Sequence, residues 1–125
     1  MSHPAESLTQ RKSIVYTATS WKYFAYRMFI SKFVLEQGGV PLNPFMIFDY
    51  FMVDTVERNV VREANNNLVR ISDEVWCFGA ISDGVQVEID YARKDGKSVR
   101  FFKIEKPFQC IEVSENEMIS GQEST

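Results

Sequence analysis

Short β-branched runs alternate with segments of helical spacing along this chain, and that alternation restricts the fold more than any other feature. Ser13-Ile14-Val15-Tyr16-Thr17 reads as a buried strand. Trp21 to Gln37 reads as a helix, with Phe24, Met28, Phe29, Phe33 and Val34 at helical spacing and Gly38-Gly39 as its stop. Val40 to Asn43 forms a second short strand, closed by Pro44. Phe45 to Met52 is an aromatic segment that fits neither pattern. Asp54-Thr55-Val56-Glu57 has capping-box spacing, which predicts a helix from there to about Ile71. Its inward residues would be Val56, Val60, Val61, Ala64 and Leu68. Asn65, Asn66 and Asn67 are poor helix formers, which signals either function or a local distortion. Asp73 to Gly79 is the third strand and Gly84 to Lys94 the third helix, ended by Gly96. Ser98 to Ile104 is the fourth strand and Gln109 to Val113 a short fifth.

Strands joined through helices imply crossover connections and a parallel sheet. The predicted fold class is therefore α/β: a single small doubly wound domain, Rossmann- or flavodoxin-like. Its sheet is mostly parallel, with four to five strands and helices on both faces. At 125 residues and 45% hydrophobic content the chain suffices for one core. The domain is expected over residues 13–113. Residues 1–12 read as a flexible polar leader and 114–125 as a flexible, acidic, Ser-rich tail.

The formal net charge of −3 argues against a nucleic-acid polymer as partner, which needs a basic face. Charges of both signs are scattered, so no polybasic membrane patch stands out, and no apolar run is long enough to span a bilayer. The N-terminus lacks a signal-peptide core. These readings give a soluble cytoplasmic protein as the expectation. His3 is the one histidine and lies in the polar leader, so no metal site and no cofactor are expected. Cys77 and Cys110 read as buried thiols in preference to a disulfide.

In open α/β sheets, ligands bind outside the carboxyl ends of the strands. That rule selects Tyr16 to Trp21, Asn43 to Asp54 and Gly79 to Glu88. Asp73 begins its strand at the opposite edge and reads as structural. In the last stretch Ser82 or Asp83 can cap the following helix, whose free N–H groups favour an anion. Gly84 permits close approach to the backbone. Val85, Ile89 and Ala92 share the face that packs on the sheet, and Glu88 borders it. Desolvation would raise the Glu88 carboxyl pKa and the helix N-terminus would lower it. The competing reading is an ordinary helix-surface glutamate.

The stretch Ser82-x-Gly84-x-x-x-Glu88-Ile89-x-x-Ala92, followed by Gly96-Lys97-x-Val99, resembles the nucleoside 2-deoxyribosyltransferase-like superfamily. That group includes deoxyribosyltransferases and nucleotide N-glycosidases. The strand Asp73 to Cys77, the opening Ile14 to Ala18, and Gly39-x-Pro41-x-Asn43-Pro44 are similar to it as well, so the resemblance spans about Lys12 to Glu105. It implies that Glu88 is a nucleophile that attacks the anomeric carbon and releases the base. Water or a second base then resolves the glycosyl ester, as in retaining glycosidases. It also implies that Ser82 and Gly84 take a 5′-phosphate and that Tyr16 lines the sugar or base. The chain departs from the pattern at Asn65, where the family often has an aspartate. An amide cannot supply a proton as a carboxylic acid does. Glu63, Asp49 and Asp54 are the candidate substitutes.

Phe45, Phe48, Tyr50 and Phe51 could stack on a base, with Phe48 and Tyr50 foremost, or could pack on helices or a second subunit. Lys22 and Arg27 read as a solvated face more readily than as a phosphate clamp. Trp21, Tyr23, Phe24, Tyr26 and Phe29 exceed one helical stripe, so an exposed patch and a homodimer or higher homo-oligomer are expected. The resemblance points the same way. Two functions follow: cleavage of an N-glycosidic bond in a small nucleoside or nucleotide, or binding of such a ligand without turnover.

Overall fold

The computed structural model describes residues 3–48, 55–105 and 109–123. A five-stranded sheet forms the centre, in the order β2 (Val40–Leu42), β1 (Ile14–Thr19), β3 (Glu74–Phe78), β4 (Ser98–Glu105), β5 (Gln109–Val113). The first four strands are parallel and β5 runs antiparallel to β4. The direction of β5 follows from chain length. A parallel return needs a crossover of roughly a dozen residues, and the link from Glu105 to Gln109 is far shorter. A bidentate Arg100–Glu112 pair at 2.7 and 2.8 Å ties the two strands together.

Strand alternation builds two cores. Tyr16, Ala18, Val75, Cys77 and Phe101 face one side, where α3 (Arg58–Ile71), α4 (Asp83–Lys94) and α5 (Glu115–Glu123) supply Val69, Val85, Ile89, Ala92 and Met118. Val15, Trp76, Phe78 and Phe102 face the other, covered by Ile30 and Val34 of α1 (Arg27–Glu36), while the one-turn α2 (Pro44–Ile47) follows β2. On that second face Phe33 meets Trp76, Phe78 and Phe102 edge-on at 6.3, 6.0 and 5.2 Å. Each such ring pair contributes about 0.5–1.5 kcal/mol beyond its buried area.

Several elements differ from the sequence expectation. The segment predicted as one helix from Trp21 begins as a 3-10 helix, Trp21–Tyr26, before α1. Three residues per turn eclipse side chains at i and i+3, and the Trp21–Phe24 and Tyr23–Tyr26 rings meet in that way, tilted, at 5.3 and 6.3 Å. Of the aromatics expected to form an exposed patch, Trp21 alone is exposed, at 50%, because Tyr23, Phe24, Tyr26 and Phe29 are half-buried. α3 starts at Arg58, with the Glu57 side chain accepting from the Asn59 N–H at 3.1 Å, and Asp54 lies outside the described residues. Val56 and Val60 are exposed. The inward stripe is Val61, Asn65, Leu68, Val69 and Ser72, which carries an asparagine amide into the interior. The asparagine triplet does not break the helix, which is continuous over 14 residues.

The segment read as a loose tail contains α5. Ser114 Oγ accepts from the Glu117 N–H at 3.2 Å, and Glu117 reaches back to Ser114, a capping box. Met118 is buried in the core. At the amino edge of the sheet Asp73 accepts from the Ile14 N–H at 2.8 Å, and Lys97 donates to the Ser72 carbonyl at 2.7 Å. Both cysteines are free, Cys77 buried and Cys110 half-buried, and burial pushes each thiol up to about 12. No helix among the described residues is long and apolar enough to cross a membrane.

Candidate active site at the carboxyl edge of the sheet

Three chain reversals meet where β1 and β3 end. β1 runs out at Thr19, and Ser20 caps the 3-10 helix that follows. β3 runs out at Phe78, and Gly79 turns the chain with φ +76°. A Cβ on Gly79 would lie 2.5 Å from the Tyr23 ring, so only glycine fits beneath that ring. The Tyr23 hydroxyl then accepts from the Ala80 N–H at 2.9 Å. This contact ties the 3-10 helix to the turn that leads into α4. Ser82 is the N-cap, accepting from the Val85 N–H at 3.2 Å.

Between these elements lies a cavity of about 960 Å³, at the upper end of the ordinary range for small-molecule sites. Tyr16 and Glu88 meet inside it. Tyr16 rises from β1 and Glu88 descends from the second turn of α4, and the tyrosine hydroxyl donates to Glu88 Oε2. Burial pushes the Glu88 carboxyl up to about 7, although the Tyr16 hydrogen bond lowers it. Burial thus outweighs the Tyr16 hydrogen bond. The Tyr16 hydroxyl is itself raised well above its ordinary value by burial and by the Glu88 charge. A carboxyl in this condition is partly ionised near neutral pH and poorly solvated, which favours nucleophilic or acid–base use.

Ser82, Gly84, Asn65 and Phe48 also line the cavity. Gly84 has open space where a Cβ would stand. Asp83 is exposed in the first turn of α4 and is not part of the lining, nor is the exposed Glu63. Tyr50, Phe51, Asp49 and Asp54 lie outside the described residues. Glu88 is the one carboxyl among the described lining residues. Lys22 and Arg27 are not in the lining either, and Arg27 stacks on Phe24 at 4.2 Å.

Phe45, one of the aromatics expected to stack on a base, forms a mutual ring cluster with Trp21 and Phe24 at 5.1 to 5.3 Å on one side. Sequence reasoning missed Phe24 and two arginines as wall residues. Arg58 and Arg62 stand on the wall from α3, and their i, i+4 spacing was the available signal. Among the described residues, three buried side-chain oxygens have no hydrogen-bond partner: Thr17 Oγ1, Thr19 Oγ1 and Asn65 Oδ1. All three belong to residues of this cavity. Each such atom costs about 1–3 kcal/mol unless a water or a ligand meets it. No three His, Cys, Asp or Glu side chains among the described residues group closely enough to hold a metal ion.

The sequence model of the domain of unknown function DUF7768 matches residues 16–102. No curated protein matches the chain in sequence. Among solved structures the chain is similar to a 2-desoxiribosyltransferase from Leishmania mexicana, with a TM-score of 0.57 and 20% identity over 74% of this chain. The match covers 65% of that protein's length, and at this identity it shows a shared fold. A CMP N-glycosidase from Clostridium botulinum matches with a TM-score of 0.45 and 20% identity, over 75% of this chain and 71% of that one.

Proposed function

This chain belongs to the DUF7768 family, and we propose that it cleaves the N-glycosidic bond of a nucleoside or nucleoside 5′-monophosphate, by hydrolysis or by transfer to a second base. The observation that carries this reading is the Tyr16–Glu88 pair, desolvated and facing a cavity of ligand size. The fold shared with a 2-desoxiribosyltransferase accords with it.

In the proposed reaction the ionised Glu88 attacks the anomeric carbon. The C–O bond forms as the C–N bond breaks, and the electron pair of that bond leaves with the base. Tyr16 holds the attacking carboxylate by its hydroxyl and keeps it partly ionised. With Glu88 engaged and no second carboxyl among the described lining residues, the departing base takes its proton from water. Asn65 can offer it an amide hydrogen bond. Water or an incoming base then displaces Glu88 from the sugar, a second inversion that restores the original configuration. The ring cluster of Trp21, Phe24 and Phe45 provides apolar surface for the base, beside Phe48. Ser82 and the N–H groups at Gly84 provide neutral hydrogen bonds to the sugar end.

Incubation with nucleosides and monophosphates of each base, followed by chromatography, tests the reading. Free base is expected with the native chain and loss of at least 10³-fold in rate with Glu88→Ala. Intact-mass spectrometry is expected to catch a glycosyl adduct on Glu88. Equal base release by Glu88→Ala and the native chain overturns the assignment. A second reading, ligand binding without turnover, is favoured by one observation: an amide, Asn65, stands where an acid is wanted. Tight binding by calorimetry with ligand intact after long incubation selects it.

A further inference from the structure

α3 begins at the carboxyl edge of the sheet and presents Arg58, Arg62 and Asn65 to the cavity, at i, i+4 and i+7 along one face. Among the described residues neither arginine meets a carboxylate. Arg62 donates to the Asn59 amide oxygen at 3.0 Å, and Arg58 takes no part in any ion pair. The neighbouring Glu57 commits its carboxylate to the Asn59 N–H. Outside the cavity Arg11, Arg93 and Arg100 are each paired with an acid, Arg70 donates to the Asn67 amide oxygen and Arg27 lies on the Phe24 ring. Among the described residues, then, no carboxylate pairs with the two positive charges on the wall of α3.

The start of α4, on the other side, is already complemented. Ser82 accepts the Val85 N–H, and the Asp83 carboxylate lies in the first turn, where it opposes the helix-end charge. An anion entering this cavity finds its opposite charge on α3. Farther along the same face Asn65 turns from solvent to interior, and its Oδ1 has no partner. Arg58 and Asn65 are about 10 Å apart along the helix axis. A charged group at the rim and a polar sugar or base edge deeper in would together satisfy that face.

We propose that Arg58 and Arg62 are the charge-recognising residues of this cavity and select a nucleoside bearing a 5′-phosphate over the uncharged nucleoside. The assignment rests on the nucleotide reading given above. It adds to the expectation that Ser82 and Gly84 receive the phosphate, since those groups contribute hydrogen bonds without charge.

The test compares native chain, Arg58→Gln, Arg62→Gln and the double variant on cytidine, uridine, adenosine and guanosine and their 5′-monophosphates. Base release is read as kcat/KM, and Glu88→Gln variants of each are titrated with the same ligands by calorimetry. A charged hydrogen bond of the usual strength implies that each substitution lowers the monophosphate-to-nucleoside ratio by about 10- to 100-fold. KM for the monophosphate is expected to rise with ionic strength. A ratio unmoved by the double variant overturns the inference and leaves the glycosidic reading intact. Arginine-dependent binding of monophosphate with no base release upholds the inference and removes the glycosidic reading. Binding of neither ligand class overturns the inference.

Discussion

Replacing Tyr16 with Phe removes one hydroxyl and leaves the buried ring in place. In the folded protein that hydroxyl donates to Glu88 Oε2 and opposes the rise that burial imposes on the carboxyl. A hydrogen bond to a charged group is worth about 1.5–3 kcal/mol, and about 1.4 kcal/mol corresponds to one pH unit. With Glu88 at about 7, nearly half the native molecules carry the carboxylate at neutral pH. Losing the donor moves the titration up by roughly one to two pH units, so the ionised fraction at pH 7 drops to roughly 1–10%. Base release by Tyr16→Phe at pH 7 is therefore expected to fall about 5- to 50-fold. The acid limb of the kcat/KM profile should shift upward by the same one to two pH units, and activity should partly recover near pH 9. A profile whose acid limb stays near 7 would falsify the claim that Tyr16 keeps Glu88 ionised. A uniform loss at every pH would assign Tyr16 to substrate contact instead.

Because burial raises the Glu88 carboxyl from 4.5 to about 7, the folded state binds this proton more tightly than the unfolded chain. The resulting stabilisation is complete below pH 4.5 and is lost as pH rises to about 7, an effect of about 3 kcal/mol. Urea denaturation of Glu88→Gln should accordingly show higher stability than the native chain at pH 8 and a flatter dependence between pH 5 and 8; parallel curves refute it. Gly79→Ala forces a side chain into positive φ and against the Tyr23 ring, which should cost about 2–4 kcal/mol in the same assay. A loss below about 0.5 kcal/mol would show that the turn relaxes freely. Met28 and Leu35, 69% and 60% exposed and two turns apart on α1, are the apolar positions through which we propose that the chain self-associates. Light scattering should give at least twice the 14.5 kDa of one chain, falling to one chain in Met28→Glu/Leu35→Glu; a native mass of one chain refutes it.

Sequence by itself determined whatever depends on near neighbours. Alternating β-branched and helical runs place all five strands, with β5 at its observed limits, because periodicity reports which face of each element is apolar. The strand–turn–helix carrying Ser82, Gly84 and Glu88 was legible for the same reason. Ser114-x-x-Glu117 is an equally local signal for α5, hidden only by the acidic composition around it. Tertiary structure decided the rest. The stripe of α3 that turns inward, and so the placement of Asn65, Arg58 and Arg62 on the cavity, is set by how that helix rolls against α4 and β1. Tyr23 acquires its role from Gly79, which lies far along the chain. Glu88 acquires its chemistry from Tyr16, 72 residues away. A carboxyl's affinity for its proton depends on the water excluded around it, and the residues that exclude that water become neighbours only when the sheet and its helices close together.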